Sequence, residues 1–180
     1  MNVWGILLKW SGWSVDITVP YRDKAVICVA PHTSNWDFIM GLLAYRSLGR
    51  KASFLMKKFW FFFPLKYIFK SLGGIPVDTK KSRSLTSILI EDFKSMPRLN
   101  LAVTPEGSRS AVQKWKTGFL TIAYNANVPI QLGVIDFKNK KVIIKQEFIT
   151  SGDFQKDLRD IRKYYSDFKD AAKYPDKFLP

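Results

Sequence analysis

The stretch AVICVA-PHTSNWD, residues 25–37, decides the fold class. Six apolar residues without alternation read as a strand buried on both faces. The polar stretch behind them opens a helix predicted over 35–48, with Trp36, Ile39, Leu43 and Tyr45 suggesting one inward side. The pattern recurs at LNLAVT (99–104), a second buried strand, followed by the polar PEGSRS (105–110). Further out, VDITV (15–19), ASFLM (52–56) and GIPVD (74–78) read as strands. Residues 82–95 read as a helix from the spacing of Leu85, Ile88, Leu89 and Phe93, and 117–127 as another, ended near Asn127 and Pro129. IQLGVIDF (130–137) and KVIIKQEF (141–148) flank Lys138-Asn139-Lys140 and predict a hairpin. Phe154, Leu158, Ile161, Tyr165, Phe168 and Ala172 step by three or four and predict an amphipathic helix. Strands separated by helices predict an α/β fold, with a mostly parallel or mixed central sheet flanked by helices. A chain of 180 residues is expected to form a single domain, residues 1–180, with 1–14 as a membrane-interfacial helix.

Functional groups of such sheets gather at the carboxyl ends of the strands. Two polar stretches stand there. The first holds His32, the only histidine of the chain, with Asp37 five residues on. Imidazole is suited to proton transfer near neutral pH, and a carboxylate on Nδ1 would fix its tautomer. Taken alone, the spacing fits a loop histidine beside a helix-dipole carboxylate equally well. The second holds Glu106, Gly107, Ser108, Arg109 and Ser110. Arginine binds phosphate bidentately, and a glycine turn can present backbone N–H groups beside it.

Composition narrows the chemistry. The apolar fraction of 47% and the aromatic fraction of 15% exclude a disordered chain. A net charge of +14 points to anionic partners: a membrane surface, nucleic acid or phosphorylated ligands. One cysteine, Cys28, excludes an internal disulfide, and with one histidine it argues against a transition-metal site. No apolar run is long enough to span a membrane, and Lys9, Trp10 and Trp13 break the pattern of a signal peptide. Residues 50–83 carry nine basic residues against Asp78 alone, interleaved with Phe54, Phe59, Trp60, Phe61, Phe62, Phe63, Tyr67 and Phe69. Such a mixture suits an anionic bilayer interface, with Trp4, Leu7, Leu8, Trp10 and Trp13 as a second contact. No Gly-x-Ser-x-Gly elbow presents Ser34 or Ser108 as a nucleophile, and Cys28 lies inside a buried strand.

Together the two stretches resemble the glycerolipid acyltransferases typified by 1-acylglycerol-3-phosphate acyltransferase. PHTSNWD is similar to the His-x-x-x-x-Asp block of that family. PEGSRS is similar to its Glu-Gly-Thr-Arg-Ser block, with Ser108 in place of threonine. LGGIPVD (72–78) resembles the block between them, and NVPIQLGVI from Asn127 a later Val-Pro-Ile block, so the likeness runs from Val26 to Ile135. One departure stands out: where the intermediate block commonly ends in arginine, this chain has Thr79, followed by Lys80, Lys81 and Arg83.

The resemblance implies a glycerol-3-phosphate acyltransferase-like fold. It also implies acyl transfer from acyl-CoA or acyl carrier protein to a lysophospholipid hydroxyl. His32 would be the general base and Asp37 its orienting partner. Glu106, Gly107, Ser108 and Arg109 would shape the acceptor site, with Arg109 on the phosphate, joined by Thr79 and Lys80. Neither a cofactor beyond the thioester co-substrate nor a metal is implied. The expected location is cytoplasmic, peripheral on the inner face of the membrane, with no specific nucleic acid partner. Two other classes remain open at this point: a noncatalytic lipid-binding protein of the same fold and a basic nucleic-acid-binding module, although recognised nucleic-acid motifs are absent.

Overall fold

The computed structural model describes residues 2–77 and 85–180. Seven strands form one sheet: β1 (Ser14–Ile17), β2 (Lys24–Val29), β3 (Ser53–Lys57), β4 (Gly74–Val77), β5 (Leu99–Val103), β6 (Ile130–Asp136) and β7 (Lys141–Phe148). Their order is β1-β7-β6-β2-β5-β3-β4. Strands β6, β2, β5, β3 and β4 run parallel; β7 turns back antiparallel to β6, and β1 pairs parallel with β7. The hairpin forms at the predicted turn, where Asp136 accepts from the backbone N–H and side-chain amide of Asn139.

Helices cover both faces because β2 alternates between two cores. Val26 and Cys28 pack in a cluster with residues of α4 (Leu85–Ser95), α5 (Gly118–Ala126) and α6 (Phe154–Ser166), among them Phe93, Leu120 and Tyr165. On the other face, α1 (Val3–Trp10) and α2 (Asn35–Ser47) bring Leu8, Met40 and Ala44 against Ile135 and Val142. Both faces of β2 are thereby buried, which is why the strand reads as a continuous apolar run. One further helix, α3 (Leu65–Leu72), follows Pro64 within the basic, aromatic segment.

Two helical expectations need correction. The inward face of α2 is not that of Trp36 and Ile39, which are 48% and 38% exposed. Tyr45 is buried and Leu43 packs against the core as expected, and Asp37, Met40 and Ala44 join them in place of the first two. The helix is rotated so that a carboxylate, rather than an indole, enters the interior. The C-terminal helix ends at Ser166, so Phe168 and Ala172 lie beyond it, in and around the 3-10 turn Lys169–Ala171. There the Ala171 carbonyl accepts from the N–H of Phe137, and the chain is redirected over the end of β6. The start of the helix predicted over 82–95 lies outside the described residues, as do Thr79 and Lys80.

Tyr165 ties α6 to the central strand. Its buried hydroxyl donates to the Cys28 carbonyl at 2.6 Å. Burial pushes the Cys28 thiol up to about 12, so it is a protonated packing group at working pH. Tyr165→Phe is expected to cost about 1 kcal/mol of unfolding free energy in urea titration, the net worth of one buried hydrogen bond.

Candidate active site

The parallel register of the middle strands builds the site. Cys28 of β2 is level with Val103 of β5, so the segments leaving these strands emerge side by side. His32 lies four residues beyond Cys28 and Glu106 three beyond Val103. They meet: Glu106 Oε1 accepts the backbone N–H of His32 at 2.7 Å.

The segment after β2 is organised by the first turn of α2. Ser34 is its N-cap, and Ser34 and Asp37 form a reciprocal capping box. Asp37 Oδ2 accepts from the backbone N–H groups of Thr33 at 2.8 Å and Ser34 at 2.9 Å. The same oxygen lies 3.0 Å from Nδ1 of His32. The contact has ion-pair distance without hydrogen-bond alignment, and Nδ1 has no aligned partner among the described residues. Alignment of this kind commonly tightens only when substrate binds. A bare nitrogen lone pair 3.0 Å from a carboxylate oxygen would be repelled, so the proton belongs on Nδ1 and the free lone pair on Nε2. The His32 side chain is 19% exposed and that of Asp37 only 3%, so the ring is open to a substrate while its partner is not.

Glu106 is in a different environment. It is buried, and its Oε2 has no partner among the described residues. Burial drives its carboxyl up to about 8, and the nearby Asp37 charge adds to this, while the His32 N–H opposes it. The two carboxyl groups therefore differ: Asp37 collects N–H donors, whereas Glu106 is poorly solvated with a single donor. Gly107 has φ +62°, a left-handed backbone conformation that side chains rarely adopt, so the turn favours glycine. The Ser108 hydroxyl accepts from the N–H of Ser110, and the Arg109 guanidinium donates to Asn35 Oδ1 at the start of α2.

The structure thus brings His32, Asp37, Glu106, Gly107, Ser108 and Arg109 to one end of the sheet. Beside them is a cleft of about 500 Å³ whose lining includes Ser34, Asn35, Ser108 and Arg109. Lys173 and Lys177 also line it, which the sequence reading did not include. Nothing local marks these lysines: they arrive through the redirected chain beyond α6. Among the described residues, no group of three His, Cys, Asp or Glu side chains could hold a metal ion.

The acyltransferase family model matches residues 16–134, which include both strand-end segments and most of the sheet. The chain belongs to the acyltransferase family. In fold it is similar to the 1-acyl-sn-glycerophosphate (LPA) acyltransferase PlsC of Thermotoga maritima. The TM-score is 0.64 at 19% identity, over 95% of this chain and 79% of that one. No curated protein sequence gives a significant match.

The carboxyl of Glu106 gives a pH-dependent stability. A carboxyl raised by folding stabilises the native state most at acid pH, and this contribution is lost as pH rises through about 8. Glu106→Gln mimics the neutral acid and keeps an acceptor for the His32 N–H. It is expected to flatten the fall in melting temperature between about pH 5 and pH 8, measured by calorimetry beside the parent chain.

Proposed function

We propose that the chain transfers a fatty acyl group from acyl-CoA or acyl carrier protein to the free hydroxyl of a lysophospholipid, with 1-acylglycerol-3-phosphate the first acceptor to test. The supporting observation is the 3.0 Å approach of Asp37 to Nδ1 of a partly exposed imidazole at a strand end. His32 Nε2 takes the hydroxyl proton as the acceptor oxygen attacks the thioester carbonyl. The C–S bond breaks, and the imidazolium returns the proton to the departing thiolate. Asp37 holds the tautomer and stabilises the imidazolium. Arg109 takes the acceptor phosphate, and Glu106, Gly107 and Ser108 shape the turn that presents it. Thr79 and Lys80 would join that site. The reaction requires no cofactor beyond the thioester.

The acceptor would be met at an anionic bilayer, on the inner face of the cytoplasmic membrane. Phe59 and Phe63 are 79% and 76% exposed, Trp10 on α1 is 83% exposed, and Tyr67 and Ile68 on α3 are also exposed. Lys57, Lys58, Lys66 and Lys70 lie among them in sequence. Arg46 connects the two apolar sets: it lies over the Trp4 ring and donates to the Ser71 carbonyl. No helix of the described residues is long and apolar enough to cross a membrane, so this face would lie in the interface. Each lysine near such a surface adds about 1 kcal/mol. Replacing Phe59 and Phe63 with serine is expected to weaken sedimentation with anionic vesicles and leave the melting temperature near that of the parent; unchanged sedimentation would count against this face.

The decisive assay incubates purified protein with acyl-CoA or acyl carrier protein thioester and a mixed lysolipid pool, with products read by mass spectrometry. His32→Ala is expected to lower kcat by about 10²–10⁴-fold. Undiminished transfer by that variant would remove the assigned base.

A further inference from the structure

The C-terminal turns bring two cations to the active-site end of the sheet. Lys173 and Lys177 line the same cleft as Arg109, and no carboxylate is among its described lining residues. Neither lysine has an ion-pair partner among the described residues. Their positions are set by structure. The Lys173 ammonium is 5.3 Å from the Trp36 ring centre, 5.7 Å from Phe137 and 5.9 Å from Tyr174. Lys177 sits over Tyr174 at 4.6 Å. The backbone N–H of Tyr174 donates to Thr33 Oγ1 at 3.2 Å, and Thr33 is next to His32 in the chain. Both ammonium groups are therefore anchored to the segment that carries the imidazole.

Two ammonium groups and a guanidinium around one polar cleft repel each other until an anion enters. Aromatic rings hold an ammonium in place while leaving its outer N–H groups free to donate. We propose that Arg109, Lys173 and Lys177 form one receptor for a phosphate group of a substrate, the two lysines supplied by the C-terminal turns. The proposal rests on the acyl-transfer reading for the identity of that substrate, since either the acceptor or the thioester donor can carry the phosphate. The cation cluster itself does not depend on it.

The test uses the full chain with Lys173→Gln and Lys177→Gln combined, and with both lysines replaced by arginine. Titration calorimetry with inorganic phosphate reads the cleft without turnover. The glutamine pair is expected to weaken phosphate binding by about tenfold or more, the loss attached to charge-assisted hydrogen bonds, and the arginine pair to restore it. Melting temperatures of all three proteins separate this from unfolding. In turnover, a matching rise in KM for 1-acylglycerol 3-phosphate, absent with a monoacylglycerol acceptor, assigns the phosphate to the acceptor. A rise confined to acyl-CoA assigns it to the donor. Unchanged phosphate affinity and unchanged KM for both substrates in a folded glutamine variant overturn the proposal. Weakened phosphate binding with no turnover by the parent chain on any acceptor would retain the receptor and refute acyl transfer.

Discussion

Asp37 must keep a buried negative charge in a site that also has to expose an imidazole. A carboxylate 4% exposed is stable only when donors surround it. Here they come from the turn itself: the backbone N–H groups of Thr33 and Ser34, the second being the capping-box bond, at the positive end of α2, with His32 Nδ1 3.0 Å away. The same contacts determine how the rest of the segment lies. Because Asp37 faces inward, Met40 and Ala44 follow it into the core, and Trp36 is left exposed where it can hold Lys173. Glu106 supports the arrangement from β5 by accepting the His32 N–H. The approach of Asp37 to His32 and the helix N-terminus are thus built from the same contacts.

The layout of the sheet separates the strand-end polar groups from the exposed aromatics. The imidazole, both carboxyl groups and the guanidinium sit where β2 and β5 end. The exposed aromatics belong to α1 and to the segment from Phe59 through α3. The proposed transfer to an amphipathic acceptor would use both, the polar cleft for a head group and the apolar surface for contact with a bilayer.

The sheet was legible because its inner strands are buried on two faces. AVICVA and LNLAVT are short apolar runs with turn residues directly behind them, which favours strands over helices, while their adjacency is visible only in the structure. The helix α3 is harder to read: Leu65, Phe69 and Leu72 recur at i, i+4 and i+7 on its less exposed side, but the exposed apolar Tyr67 and Ile68 blur that stripe, and Pro64 interrupts the segment just before it. The face of α2 is half legible: Leu43 and Tyr45 turn inward as their hydrophobicity predicts, while Trp36 and Ile39 do not. The first turn of that helix is oriented by a hydrogen-bonded acid, which hydrophobicity does not reveal. His32, Asp37 and the 106–109 turn are legible as strand-end groups, and the convergence of Lys173 and Lys177 with Ser108 and Arg109 on one cleft is not. That union depends on a chain reversal after α6, held by a backbone bond from Phe137 to the Ala171 carbonyl, which leaves no local trace.

The central claim is that Asp37 places the proton on Nδ1 and leaves Nε2 free. One histidine in the chain makes the question directly measurable, since every imidazole ¹⁵N signal belongs to His32. Neutral His32 is expected to be the Nδ1–H tautomer in the native protein, and Asp37→Asn to shift the ring toward a tautomer mixture. A native imidazole carrying its proton on Nε2, or a tautomer indifferent to that substitution, would contradict it.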